Sequence, residues 1–149
     1  MINDEIKLSG QLDIVVTGSD GSVKETRSEK NLVVTAGLGF IASRMKDTTD
    51  GAMSHMAVGS GTTAAAAGQT DLVSILGSRE ALDSTSVSGA VVTYVCGFEA
   101  GDGTGAITEA GIFNASSGGT MLCRTVFSAV NKAADDTMTI TWTITLAAS

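Results

Sequence analysis

Between Thr137 and Leu146 the chain reads TMTITWTITL, with Met138, Ile140, Trp142, Ile144 and Leu146 alternating with five threonines. An apolar period of two is the signature of a β-strand with one face on a core, here roughly 33 Å long at about 3.3 Å per residue. The opposite face is all threonine. It carries no lysine, glutamate or proline of the kind that keeps an exposed edge from pairing, which predicts a strand interior to a sheet or covered by another chain.

The same period runs from Ile6 to Thr17, with Ile6, Leu8, Leu12, Ile14 and Val16 on one parity and Lys7, Ser9, Gln11 and Asp13 on the other. Asp20-Gly21 then marks a hairpin turn, because this pair accepts the positive φ that a tight turn needs. A return strand is expected from about Ser22 to Val34, polar in its first half and so at an edge or on a projecting ribbon. A helix is expected over Ala36 to Lys46, capped by the Thr35 hydroxyl, with Leu38, Ile41 and Met45 on one face. The loop 47–51 closes it.

Ser54 to Val58 reads as a short strand and Gly59 to Thr70 (GSGTTAAAAGQT) as a flexible loop of small residues. Asp71 to Leu82 fits either a helical turn or the start of a strand. Three further strands are expected at Ser86–Glu99, Ile107–Asn114 and Thr120–Val130, each apolar on both parities, as for strands covered on both faces. Loops at 100–105 and 131–136 and the turn 116–119 connect them. Eight or nine strands and one helix make an all-β protein, an antiparallel β-sandwich of jelly-roll-like form. A single domain over 1–149 is expected, with residues 1–30 as a candidate arm or ribbon.

Composition narrows the function. Sixteen acidic residues against nine basic ones give a formal net charge of −7, which opposes a phosphate backbone, so no direct nucleic-acid partner is expected. Only 17% of residues are charged, so the surface is rich in Ser, Thr and Gly; such a surface suits burial between subunits, although a small β protein can also simply expose it. Proline is absent where average usage would supply about seven. Cys96 and Cys123 sit in apolar runs without metal or redox spacing and read as core thiols, their spacing alone leaving a disulfide open. No basic-then-apolar leader and no apolar run of about 18 residues is present, so neither a signal peptide nor a membrane span is expected. Asn114-Ala115-Ser116 matches the glycosylation sequon, which has no meaning without a secretory route.

Candidate chemistry is sparse. GSGTTAAAAGQT lacks the GK[ST] ending of a phosphate-binding loop and the third glycine of GxGxxG. Gly101-Asp102-Gly103-Thr104-Gly105 resembles calcium-binding Gly/Asp repeats but occurs once, and with Glu99 it supplies two carboxylates where calcium takes 6 to 8 oxygens. His55 has no nucleophile elbow beside it and reads as structural. Glu109 stands among apolar neighbours and is expected to pair with Arg124 on the next strand; a general-acid role with Asp102 or Asp135 is the alternative. Trp142 reads as core rather than a sugar platform. No catalytic, cofactor-binding or metal site follows, and the expected activity is adhesive.

Taken in order, NLVVTAGLGFIASRM (31–45), SHMAVGSGTTAAAAGQTDL (54–72), ITEAGIFNA (107–115), GGTMLCRTVFSAVNK (118–132) and ITWTITL (140–146) resemble small virion proteins of tailed bacteriophages, both capsid decoration (cement) proteins and the attachment regions of tail fibre or baseplate proteins. The resemblance implies a β-rich structural module without enzymatic activity that binds other virion proteins, above all the major capsid protein, on the capsid surface after assembly in the host cytoplasm. The sequence stops three residues after the threonine strand, with no shaft repeats or receptor-binding tip, so decoration is expected over the fibre role. The charge-poor threonine face predicts a homo-oligomer, dimer or trimer. The candidate contact residues are Met1, Ile2 and Asn3 in the arm; Lys24, Arg27 and Lys30 in the ribbon; Gly59, Gly61, Thr62 and Thr63 in the small-residue loop; and Thr139, Thr141 and Thr143 on the strand face.

Overall fold

The computed structural model describes residues 4–46 and 50–148, so the candidate contacts Met1, Ile2 and Asn3 lie outside the described residues, as does most of the 47–51 loop. Two five-stranded antiparallel sheets face each other. In the first, sheet A, the order is β2 (Val23–Lys30), β1 (Ile6–Thr17), β10 (Thr137–Ala148), β7 (Val91–Phe98), β6 (Ser84–Ser88). In sheet B it is β3 (Leu32–Val33), β9 (Met121–Lys132), β8 (Gly105–Phe113), β4 (His55–Gly59), β5 (Glu80–Ala81). The sole described helix, α1 (Thr35–Arg44), joins β3 to β4 and packs on β9.

The threonine strand is interior, as its bare face predicts: β10 pairs with β1 along twelve positions from Ile6↔Ala148 to Thr17↔Thr137, and with β7 on its other side. Leu12, Ile14, Val16, Met138, Ile140 and Trp142 from sheet A meet Met56, Val58, Ile107, Ile112 and Leu122 from sheet B in one core. Burial of these side chains, each worth about 1.5–3 kcal/mol when complete, holds the sheets together. Trp142 is fully buried, and its indole N–H donates to Asn31 Oδ1 at 2.6 Å.

Four expectations are corrected. The return strand does not run unbroken to Val34: β2 ends at Lys30, and Asn31 carries the chain across from sheet A to sheet B, where Leu32 and Val33 pair with Arg124 and Cys123. Ser86–Glu99 is two strands rather than one, because Gly89 takes φ 58° and turns the chain between β6 and β7. Thr35 is not the cap of α1. Extended Val34 holds that position without a side-chain bond, and the Thr35 N–H donates to Ala67 O at 2.8 Å, so a neighbouring loop satisfies one of the orphan donors of the first turn. The described strands accordingly number ten, two of them only two residues long.

The sandwich edge under β2 is closed by charge. Glu25, Arg27 and Glu29 lie on the core side of that strand, with Arg27 held at 2.8 Å by Glu25 and 3.3 Å by Glu29, and its guanidinium donating to Ser128 O and Ala129 O of β9. Cys96 and Cys123 are both buried and unbonded to one another. Burial pushes the Cys96 thiol up to about 12 and Cys123 well above its usual range, so both stay protonated and inert.

Candidate interaction surfaces

The outer faces of the two sheets are built differently. On sheet B the ladder between β8 and β9 shifts register between Ile107 and Glu109. The shift reverses parity. Ile107 points into the main core while Glu109, two residues on, turns outward to the far side of the sheet, next to Gly59 and Gly61. Phe113, Met121, Ala57 and Val34 form a second, smaller apolar cluster, and the chain between β4 and β5 runs over the outside of sheet B with Leu72 packed on that cluster.

This chain is laced down. Glu109 and Arg124 are both wholly buried, with Nε to Oε1 at 3.3 Å, and the two Glu109 oxygens accept the N–H groups of Val73 at 2.7 Å and Ser74 at 3.0 Å. Arg124 Nη1 donates to Thr63 O and to Gln69 Oε1, each at 2.9 Å. Thr108 Oγ1 donates to Gly61 O, and Gln69 in turn bonds backbone at Ala64 and Ala66. At the far end Arg79 lies 3.6 Å over the Phe113 ring and donates to Ala115 O and Gly118 O. The pair foreseen from sequence is therefore present, and its further partners explain why it is there. It is a buried ion pair whose remaining valences fasten a strap of some twenty residues. Of the stretch expected as a free, flexible loop, Gly59 ends β4 and 60–70 is a fastened part of this strap.

Sheet A carries no such cover among the described residues. Its outward residues align in rows across the strands: Ser28, Asp13, Thr141, Val95, Ser84 in one, and Lys30, Gln11, Thr143, Thr93, Ser86 in the next. Strands lie about 4.8 Å apart and successive outward residues about 6.6 Å, so hydroxyls and short β-branched groups tile the sheet. Gln11 bridges to Ser28 at 2.9 Å and to Asp13 at 3.3 Å. Three candidate contacts, Thr139, Thr141 and Thr143, sit in the middle of this surface, with Lys30 on its rim.

The other candidates are dispersed. Thr62 and Thr63 are exposed on the strap, but Gly59 at the end of β4 is buried beneath it and Gly61 is buried on the strap's underside: a Cβ on Gly59 would lie 2.4 Å from Ser74 O, and one on Gly61 1.8 Å from Glu109 Oε2. Their smallness serves the close approach of strap to sheet. Lys24 and Arg27 are held within the chain, Lys24 by Asp136 at 2.9 Å and Arg27 at the closed edge. The Lys24 ammonium first and the Ala133 N–H second hold the Asp136 carboxyl below its ordinary value. His55 Nδ1 meets Ser54 Oγ at 2.7 Å, and Lys132, buried, donates to Glu99 O. Among the described residues no group of three or more His, Cys, Asp or Glu side chains gathers as for a metal, and no helix is long and apolar enough to cross a membrane.

Sequence reasoning missed Arg79 and the groove of about 290 Å³ between α1 and β6–β7, lined by Phe40, Ile41, Met53, Val92 and Leu146 with exposed Val87 beside it. Arg79 gave no signal, since it stands in the stretch whose pattern fits both helix and strand. Compared with known protein families, curated proteins and solved structures, the chain matches none. Fold and surface define it as an all-β sandwich with one roofed and one open sheet.

Proposed function

We propose that this protein is a capsid decoration protein of a tailed bacteriophage, which docks on the outside of the head, bridges major capsid subunits and stabilises the shell against the pressure of packaged DNA. The observation that carries this reading is the open face of sheet A, where five strands present threonine, serine and valine with a single carboxylate, Asp13, on the two central rows. An acidic chain with net charge −7 that has one carboxylate on these two rows, with Asp83 and Glu99 set to one end of the face beside Gly97, can lay the rows on another protein without heavy desolvation of charge. The resemblance of the ordered stretches from Asn31 to Leu146 to virion structural proteins supplies the address.

The mechanism is adhesive. Each copy buries hydroxyl and aliphatic surface across shell subunits, or against a second copy of itself, and many copies add modest contacts into a large stabilisation. Purified protein mixed with heads that lack it should saturate at a fixed copy number and raise the temperature of DNA release. Failure to bind heads would overturn the reading, and label found at the tail of intact particles would replace it with a tail or baseplate adaptor.

A further inference from the structure

The edge of a β-sheet carries a row of unpaired N–H and C=O groups that will recruit another strand, and sandwiches blunt it with charge, shortness or a cover. Among the described residues the two sheets end in four edges, and three are blunted. β2 carries five charges in eight residues, Lys24, Glu25, Arg27, Glu29 and Lys30. β3 is two residues long, and beyond it the Arg27 guanidinium takes the Ser128 and Ala129 carbonyls of β9. β5 is equally short, and beyond it the strap covers β4, the Leu76 N–H donating to Val58 O at 2.9 Å. The fourth edge, β6, has none of these devices. It reads STSVS, is exposed at every position, and leaves Val87 70% exposed.

The backbone of β6 fixes what can be added to it. Gly89 and Ala90 make a two-residue turn, so Ser88 and Val91 close it as a hydrogen-bonded pair. Alternation along an antiparallel ladder then gives Ser84 and Ser86 to β7 as well, and turns the N–H and C=O of Thr85 and Val87 outward. We propose that this edge pairs with β6 of a second copy, antiparallel about a two-fold axis through Ser86. In that register Thr85 of each copy lies opposite Val87 of the other, and every outward N–H and C=O of both strands is paired. An axis through Thr85 or Val87 would instead set one of these residues against Asp83 or Gly89. The two valines become diagonal neighbours about 7–8 Å apart, on the side where Thr85, Val87 and Val92 line the groove beside α1. Net charge does not oppose the pairing at this edge. Asp83, the acid next to β6, lies about 20 Å from its counterpart across the axis at about 3.4 Å per residue, beyond a screening length of about 8 Å. The product is one continuous sheet with five strands from each copy, its hydroxylic outer face doubled in width. The pairing stands on the edge itself and holds whether or not the protein docks on heads.

Sedimentation of the full chain from micromolar to millimolar concentration tests it, together with amide exchange. The expected result is a monomer–dimer equilibrium, since five paired residues make a small interface. Exchange at Thr85 and Val87 should slow as dimer forms, and exchange at Ser86, already bonded to β7, should change less. Val87→Lys should weaken association about tenfold or more at an unchanged melting temperature, because it sets two ammonium groups diagonally across the axis. Val23→Lys, at an equally exposed valine on the charged edge, should leave association as it was. A monomer at every concentration, with the Thr85 and Val87 amides exchanging at one rate, would overturn the proposal. Association abolished by Thr141→Lys and indifferent to Val87→Lys would overturn it in favour of the open face of sheet A, and protection of the two amides only when heads are added would give the edge to a strand of a capsid protein instead of a second copy.

Discussion

The outsides of sheets A and B solve one problem in opposite ways. Both sheets have five strands and an apolar inner face. Sheet B is apolar on its outer side as well, at Ala57, Phe113 and Met121, and it is roofed by its own chain. Sheet A is hydroxylic on its outer side, and it stays open. Roofing sheet B required a way to hold a long irregular segment whose backbone groups have few ladder partners, and the Glu109–Arg124 pair supplies those partners from below. A buried ion pair is weak evidence for stability taken alone; here it acts as an anchor whose loss frees the strap.

The largest effect should therefore come from Glu109→Ala. It strands the Arg124 charge in the interior and orphans two strap N–H groups, at a cost of about 3–5 kcal/mol, read as a lower urea midpoint. Amide exchange at Val73 and Ser74 should rise more than exchange in β10. Unchanged protection at those two amides would break the anchor account. Gly61→Ala comes next, at about 1–3 kcal/mol for forcing a methyl against a carboxylate it would approach to 1.8 Å. Arg79→Ala should cost less, about 1–2 kcal/mol, through the lost ring contact and two carbonyl bonds, and limited proteolysis should then cut the strap and spare sheet A.

How much of this was legible follows the same division. On sheet A the alternation of β1 and β10 announced element, face and burial together, because one face is in the core and the other in water, so every residue votes. On sheet B the strands β8 and β9 read as covered on both sides, which is correct, yet nothing in their sequence said that the cover was residues 60–79. That stretch has no period, since its partners are single side chains scattered over β8 and β9. Glu109 and Arg124 were legible as a pair because a charge in an apolar run needs an opposite. Their strap contacts were not, because the reversal of parity at Ile107–Glu109 is a ladder irregularity that local pattern does not encode. The break at Asn31 was hidden likewise: VKETRSEK and LVV look like one strand until they are seen to pair with different sheets.

Acid should separate the two sheets' dependence on charge. Asp136, between β9 and β10, has its carboxyl lowered from the ordinary 3.8, by Lys24 first and by the Ala133 N–H second. A lowered folded-state value means a contribution fully present above the unfolded value and lost as pH falls below 3.8 through the folded one. Lys24→Met should remove part of that contribution, so the stability difference between the two proteins, followed by thermal melts, should shrink as pH falls from 5 to about 2. A difference constant over that range would show that the pairing contributes nothing.

The smallest effect on the isolated protein, and the sharpest test of the open face, is expected from Thr141→Lys. Thr141 lies mid-sheet, opposite Asp13 on β1 and Val95 on β7, with its side chain outward. A lysine there can lean on Asp13 and keep its ammonium in water, so unfolding free energy should move by no more than about 0.5 kcal/mol. Docking is another matter. An ammonium at the centre of a surface that must lie flat on a partner has to give up its water and holds that surface off by its length, and Asp13 beside it offsets only part of that cost, so head binding, or self-association if the partner is a second copy, should fall at least tenfold while Thr26→Lys at the edge strand changes it little. Equal binding by all three proteins, with unchanged melting, would show that sheet A faces water in the assembled state too, and that the adhesive surface lies elsewhere on the sandwich.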